Sequence, residues 1–282
     1  VRDAMTAKQL RLRRPGLCCA CREELCVGAE AIWNAAARTL TCLNCVEGSV
    51  RAHVVTPVDG PADVGIPGRS ARAQGNTKRA AERARRVVVK HRHPVLGRIA
   101  LALEGPATSA DSWLVGAKAE EMFGTRLNDM VEAGLLSLHD RRIPGSPANV
   151  DHIVVSSNAV WVIDTKRYSG KIDVVDAGGW FRSDFRLVVA GRDRTKLVSG
   201  VRGQVAHVAR MLRSTEHRDV PVRGALCFVD AEFPFFYKPT TVDDVLIGWG
   251  RALREIMAQP GCIAESERAG IHRFLGARFA PR

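Results

Sequence analysis

The stretch Asp151–Lys166, DHIVVSSNAVWVIDTK, constrains the fold more than any other part of the chain. Two apolar runs, HIVV and AVWVI, flank a short polar break, the pattern of a β-hairpin with largely buried strands. With Ser157 and Asn158 as a two-residue turn, Asp151 lies directly opposite Asp164. Side chains so paired have Cβ atoms roughly 4.5–5.5 Å apart, where two like charges repel. Lys166, two residues past Asp164, points to the same face. An Asp-x-Lys strand is most often a solvated face, but here Val, Ile and Trp stand on both sides. Two carboxylates and an ammonium on a semi-buried sheet are tolerable if a cation binds between the carboxylates. Hard oxygen ligands completed by water suit Mg²⁺ or Mn²⁺ rather than zinc.

Upstream, TSADSWLVGAKAEEMFGTRLNDMVEAG reads as one helix, with Ser109 or Asp111 at its start and Gly134 at its end. Trp113, Ala117, Phe123, Leu127 and Val131 recur as an apolar stripe. Glu120 falls inside that stripe, whereas Glu121 is rotated about 100° away. A Glu in such a position either packs its stem and reaches water with its head or serves a buried site.

The order helix, carboxylate strand, D-x-K strand resembles the PD-(D/E)XK nuclease superfamily and, within it, the nuclease-related domain NERD. The residues that carry the resemblance are GAKAEE at 116–121, HDRRIPG at 139–145, NVDH at 149–152 and VIDTKRYSG at 162–170. Val150 rather than Pro precedes Asp151, and Asp164 stands where the superfamily often has Glu; both occur within such families. The resemblance implies an α/β fold: a mixed sheet flanked by helices, the restriction-endonuclease-like core. It implies Glu120, Asp151 and Asp164 as metal ligands and Lys166 as the catalytic lysine. Phosphodiester hydrolysis builds negative charge on the phosphoryl and leaving oxygens; a metal ion offsets that charge and acidifies bound water. Lys166 would position the water or neutralise the equatorial oxygens.

Beyond the hairpin, KIDVV and FRLVVA read as strands, and a helix is predicted from about Thr195 to Arg213. Leu197, Val201, Val208 and Met211 form its stripe, and Gln204 sits within it. NERD-like domains carry a Gln here, which implies a reach to the site or to a nucleic-acid backbone; an amide bonded to backbone or buried water fits equally well. VRGALCFVD reads as a buried strand, and GRALREIMAQ and AESERAGIHRFLGARF as two helices split by Pro260-Gly261.

The second strong signal is Cys18-x-x-Cys21 with Cys42-x-x-Cys45. Two such knuckles at this separation supply four thiolates about 2.3 Å from a tetrahedral Zn²⁺, a closed and therefore structural site. AEAIWN-AAA-RTLTC between them suggests a hairpin, as in zinc ribbons. Disulfides are the alternative, but crowding of six of the eight cysteines into 18–45 argues against a secreted scaffold. Cys19 and Cys26 are surplus, and either could replace an assigned ligand.

The net charge of +12 is uneven. Arg69, Arg72, Lys78, Arg79, Arg83, Arg85, Arg86, Lys90, Arg92 and Arg98 face a single acid, Glu82. The preceding PVDGPADVGIPG reads as linker. From about Asn76 to His91 the chain can be helical, aligning Arg79, Arg83, Arg86 and Lys90 in one basic stripe. A polyanion is the natural partner, DNA ahead of RNA; a solvated linker helix is the alternative. No apolar run approaches the roughly 18 residues of a membrane span, and no secretion signal is visible, so a cytoplasmic setting is expected. The expected organisation is a zinc-ribbon-like module at 1–56, a linker with a basic helix at 57–108 and a nuclease-like domain at 109–282. The expected activity is metal-dependent DNA hydrolysis; the alternative is a binding or adaptor protein that keeps the fold without turnover.

Overall fold

A computed structural model of the chain describes residues 7–19, 24–25, 27–35, 39–43, 45, 60–93, 108–179, 183–234 and 237–282. The chain forms two compact units, Val1–Val58 and Asp59–Arg282.

In the first unit, β1 (Ala7–Arg11), β4 (Glu30–Asn34) and β5 (Thr39–Cys42) form an antiparallel sheet in the order β1-β4-β5, and β2 (Gly16–Leu17) pairs with β3 (Glu24–Leu25). The β4–β5 pair is the hairpin expected from AEAIWN and RTLTC. Its core is small: Cys18, Leu25, Ala31 and Cys42, with Leu12, Ala29 and Leu40 around them.

The second unit begins with two helices, α1 (Arg69–Arg92) and α2 (Thr108–Asn128). There follow β6 (Leu136–Arg142), β7 (Asn149–Val155), β8 (Val160–Arg167), β9 (Ile172–Asp176), β10 (Phe185–Val189), β11 (Arg192–Asp193) and α3 (Thr195–Arg213). Last come β12 (Val222–Val229), β13 (Thr240–Val242), β14 (Val245–Trp249), α4 (Gly250–Met257) and α5 (Glu265–Arg278). Six strands form a mixed sheet in the order β13-β14-β12-β8-β7-β6. β6, β7 and β8 run antiparallel in sequence, whereas β8, β12 and β14 are parallel. On one face Ile153, Val155, Val160 and Val162 pack with Val208 and Leu212 of α3 and Ile271 and Leu275 of α5. On the other, Val154, Trp161, Ile163 and Ala225 pack with Phe123 and Leu127 of α2 and Leu253 and Met257 of α4. A sheet covered on both faces has no solvated side, which is why β7, β8 and β12 read as near-continuous apolar runs. Charged residues inside those strands are therefore exceptional. This is the mixed, helix-flanked α/β core expected from the sequence.

Two elements depart from expectation. α2 stops at Asn128, and residues 129–134 form turns that end on Gly134 at φ 78°. The Asn128 side chain is drawn into the sheet, where its Oδ1 accepts from Ser137 Oγ at 2.7 Å and faces His139 Nε2 at 2.9 Å. The second departure is the expected linker. α1 begins at Arg69 rather than near Asn76, and the described part of the Pro/Gly-rich run packs onto the sheet edge. His139 N donates to Val64 O at 2.7 Å, and Arg141 donates to Asp63 O. Gly68 adopts φ 70°, and a Cβ there would lie 2.5 Å from Ala117 O. Pro and Gly mark where a chain turns; they read alike in a free linker and in a segment pressed against a neighbour. α1 then runs along α2, joined by the Arg72–Glu121 and Arg79–Asp111 ion pairs and by Lys78 over the Trp113 ring.

Candidate active site

The β7–β8 register pairs His152 with Ile163, Ile153 with Val162, Val154 with Trp161 and Val155 with Val160, closed by Ser156 N donating to Ala159 O. Continued by one step, it sets Asp151 opposite Asp164. Asp151 Oδ2 accepts from Thr165 N at 2.9 Å, and the two carboxyl groups stand within hydrogen-bonding reach. Lys166 Nζ donates to Asp164 Oδ1 at 2.7 Å. Glu120 comes from the packed side of α2, between buried Ala117 and Phe123, and its Oε2 is buried with no hydrogen-bond partner among the described residues. Glu120, Asp151 and Asp164 are 8, 7 and 9 % exposed. The fold thus gathers Glu120, Asp151, Asp164 and Lys166 in one place. It does not close the three carboxylates into a tight triad: among the described residues, three such donor atoms come within 4.8 Å of one another only at Cys18, Cys42 and Cys45.

The electrostatics reflect excess negative charge in a dry setting. Burial, reinforced by Asp140 and Asp164 and opposed by Lys166, pushes the Glu120 carboxyl up to about 7. Burial also raises Asp151 well above the usual range, and the charges of Asp164 and Glu120 add to it. For Lys166, burial alone would favour the neutral amine, yet Asp164 and Asp151 together outweigh it and hold the ammonium. An orphaned carboxylate oxygen and mutually repelling acids are what a hard cation relieves, so the donor set fits a divalent metal. Glu120, Asp151 and Asp164 would hold it. When bound, such an ion polarises a phosphoryl oxygen and acidifies water. Lys166, paired with Asp164, would then hold that water or offset charge on the phosphoryl oxygens.

Gln204, on α3, donates through Nε2 to Asn149 O at 3.3 Å, and its Oε1 is buried without a partner among the described residues. It therefore braces the start of β7, two residues before Asp151. Two polar groups beside the site were not expected from the sequence. One is Asp140, 1 % exposed, which accepts from Ser70 and Asn149. The other is the buried pair His139 Nδ1 and His152 Nδ1, 2.8 Å apart. Burial drives His139 down to about 4 and His152 well below its usual value, so both rings are neutral. With Asn128 Oδ1 accepting from His139 Nε2, His152 donates to His139, and only an acceptor, His152 Nε2, is left unpaired among the described residues. The available signal was HDR at 139–141, three polar residues inside a strand.

On α1, Arg79 pairs with Asp111 and Arg86 with Glu82, while Arg83 and Lys90 are exposed. In the first unit, Cys18 and Cys42 are buried and Cys42 N donates to Cys18 Sγ at 3.3 Å. Their sulfurs and that of Cys45 lie together, a donor set that suits a soft or borderline metal. Cys21, the fourth expected ligand, and Cys26 lie outside the described residues. Cys19 is exposed and contacts Thr41 Oγ1 at 3.3 Å instead.

Residues 115–229 match the family model for NERD, the nuclease-related domain. That span holds Glu120, Asp151, Asp164, Lys166 and Gln204 but neither α1 nor the cysteine cluster. No curated protein and no solved structure matches the chain.

Proposed function

From a nuclease-related domain at residues 115–229, we propose that this chain hydrolyses phosphodiester bonds in DNA with Mg²⁺ or Mn²⁺. The observation that carries the reading is the convergence of three buried carboxyl groups and one lysine on adjacent elements. Glu120, Asp151 and Asp164 are the metal ligands, Lys166 the catalytic lysine, and Gln204 the brace of the β7 backbone. The basic face of α1 binds the phosphate backbone, and the Cys18, Cys21, Cys42 and Cys45 module holds a structural Zn²⁺. DNA is favoured over RNA. Thiol usage fits a reducing compartment such as the cytoplasm. No helix among the described residues is long and apolar enough to cross a membrane.

Two observations favour a second reading, nucleic-acid binding or an adaptor role without turnover. Lys166 is already paired with Asp164, and the carboxylates stand wider than a closed triad. A panel of single-stranded, duplex and branched DNA, with matched RNA, separates the two. Cleavage that needs Mg²⁺ or Mn²⁺ and falls at least ~100-fold in Asp164→Ala and Lys166→Ala supports the hydrolase. Tight binding with no cleavage under either ion supports the second reading.

A further inference from the structure

Four buried carboxyl groups lie around the site, and Asp140 accepts from three protein donors whereas Glu120 keeps an unpartnered oxygen among the described residues. Its Oδ2 accepts from Ser70 N at 2.5 Å, and its Oδ1 accepts from Ser70 Oγ at 2.7 Å and Asn149 Nδ2 at 2.9 Å. We propose that Asp140 is a positioning residue that clasps the N-terminus of the basic helix α1 to the strand carrying Asp151, and so sets which phosphodiester reaches Asp164 and Lys166. The proposal rests on the hydrolase reading for its catalytic consequence.

Three features make the clasp. First, the β6–β7 ladder pairs His139 with His152 and Arg141 with Val150, which brackets Asp140 and Asp151 at one level of the sheet. Asp140 itself sits at φ 49°, a left-handed conformation that interrupts the ladder there. Second, α1 has Gly68 at its N-cap, makes no side-chain cap of its own and has no acid in its first turn. The first N–H groups of a helix need partners, and a carboxylate also complements the positive end of the helix dipole. Asp140 supplies both from another element. Third, Asn149 joins the clasp to the catalytic strand: its amide holds Asp140, its carbonyl accepts from Gln204, and it opens β7. α1, β6, β7 and α3 therefore meet at one polar junction.

α1 carries the exposed Arg83 and Lys90, the proposed phosphate contacts. A nucleic-acid backbone lying on α1 is thus indexed to the carboxylates through Asp140. Misplacing a substrate by about 1 Å can cost about 100-fold in rate with little loss of binding. Asp140 should therefore govern kcat and cut position, not affinity.

The test is Asp140→Asn, which keeps the shape and tolerates a left-handed backbone but loses the charge and one acceptor. Ser70→Ala serves as a second, milder variant. The substrate is an end-labelled DNA that the wild type cuts, with Mg²⁺ or Mn²⁺. Asp140→Asn is expected to lower kcat at least tenfold, to leave KM within about threefold, and to spread the product ends over neighbouring phosphodiesters. Ser70→Ala should shift the same quantities less. Wild-type kcat and product ends in Asp140→Asn would overturn the proposal. So would a rise in KM alone, or a loss of rate that merely tracks a lower melting temperature. If the wild type cuts nothing, the hydrolase reading fails by itself. The clasp is then read by amide exchange: faster exchange in the first turn of α1, with β12 unchanged, supports it, and unchanged exchange overturns it.

Discussion

Glu120 and His139 bias the acid response of the protein in opposite directions. Glu120 titrates near 4.5 when unfolded and near 7 in the fold, mainly through burial. Between those values the folded chain keeps a proton that the unfolded chain releases. Its contribution to stability is present below about pH 4.5 and lost as pH rises toward 7. His139 falls from 6.5 to about 4, so its effect has the reverse sign: stability is lost as pH falls through that window. Comparing the metal-free wild type with Glu120→Gln isolates the first effect. The variant should match the wild type near pH 4.5 and exceed it by on the order of 3 kcal/mol above pH 7. Divalent metal should close that gap by stabilising the wild type. Urea unfolding across pH measures it, and a pH-independent difference would remove the case for a strained Glu120 carboxyl. At this scale the sequence was informative where alternation applies. Asp151, Asp164 and Lys166 were legible because a period of two on a buried hairpin leaves few places for them to point. Asp140 was not, since its partner Ser70 is 70 residues away and only the docking of α1 brings them together.

Among the elements, the cysteine unit has the smallest core. Cys18 follows β2, Cys42 ends β5 and Cys45 comes three residues later, so two separate segments converge around a few small apolar residues. So small a core needs a further constraint to stay folded. A chelator should therefore raise amide exchange through residues 7–45 while leaving the melting of the 59–282 unit unchanged; joint unfolding of both units would contradict this. α3 runs from Thr195 to Arg213, as its periodicity predicted, because a long amphipathic stripe depends little on context. α2 ends earlier than its local pattern implies because Asn128 bonds to β6, a contact no local pattern contains. β13 and β14 were too short to stand out, and they form because β12 offers a pairing edge.

Across the whole molecule the net charge of +12 is partly taken up by internal pairing. Arg72, Arg79 and Arg86 of α1 hold Glu121, Asp111 and Glu82. Arg83 and Lys90 remain exposed on the same helix. Arg83→Ala and Lys90→Ala should each weaken DNA binding regardless of sequence and lower the slope of log affinity against log salt by about one. Fluorescence anisotropy over a salt series reads both quantities. An unchanged slope would place the phosphate contacts elsewhere. The sequence by itself determined the features that short-range periodicity and spacing carry: the buried hairpin, the helix stripes, the gathering of Cys18, Cys42 and Cys45, and the basic run. Only the tertiary structure decided that the Pro/Gly segment docks, that Asp140 binds α1 while Glu120 keeps an unpartnered oxygen, and that Gln204 braces β7. Those outcomes depend on which elements touch, and distant contacts leave no periodic trace along the chain.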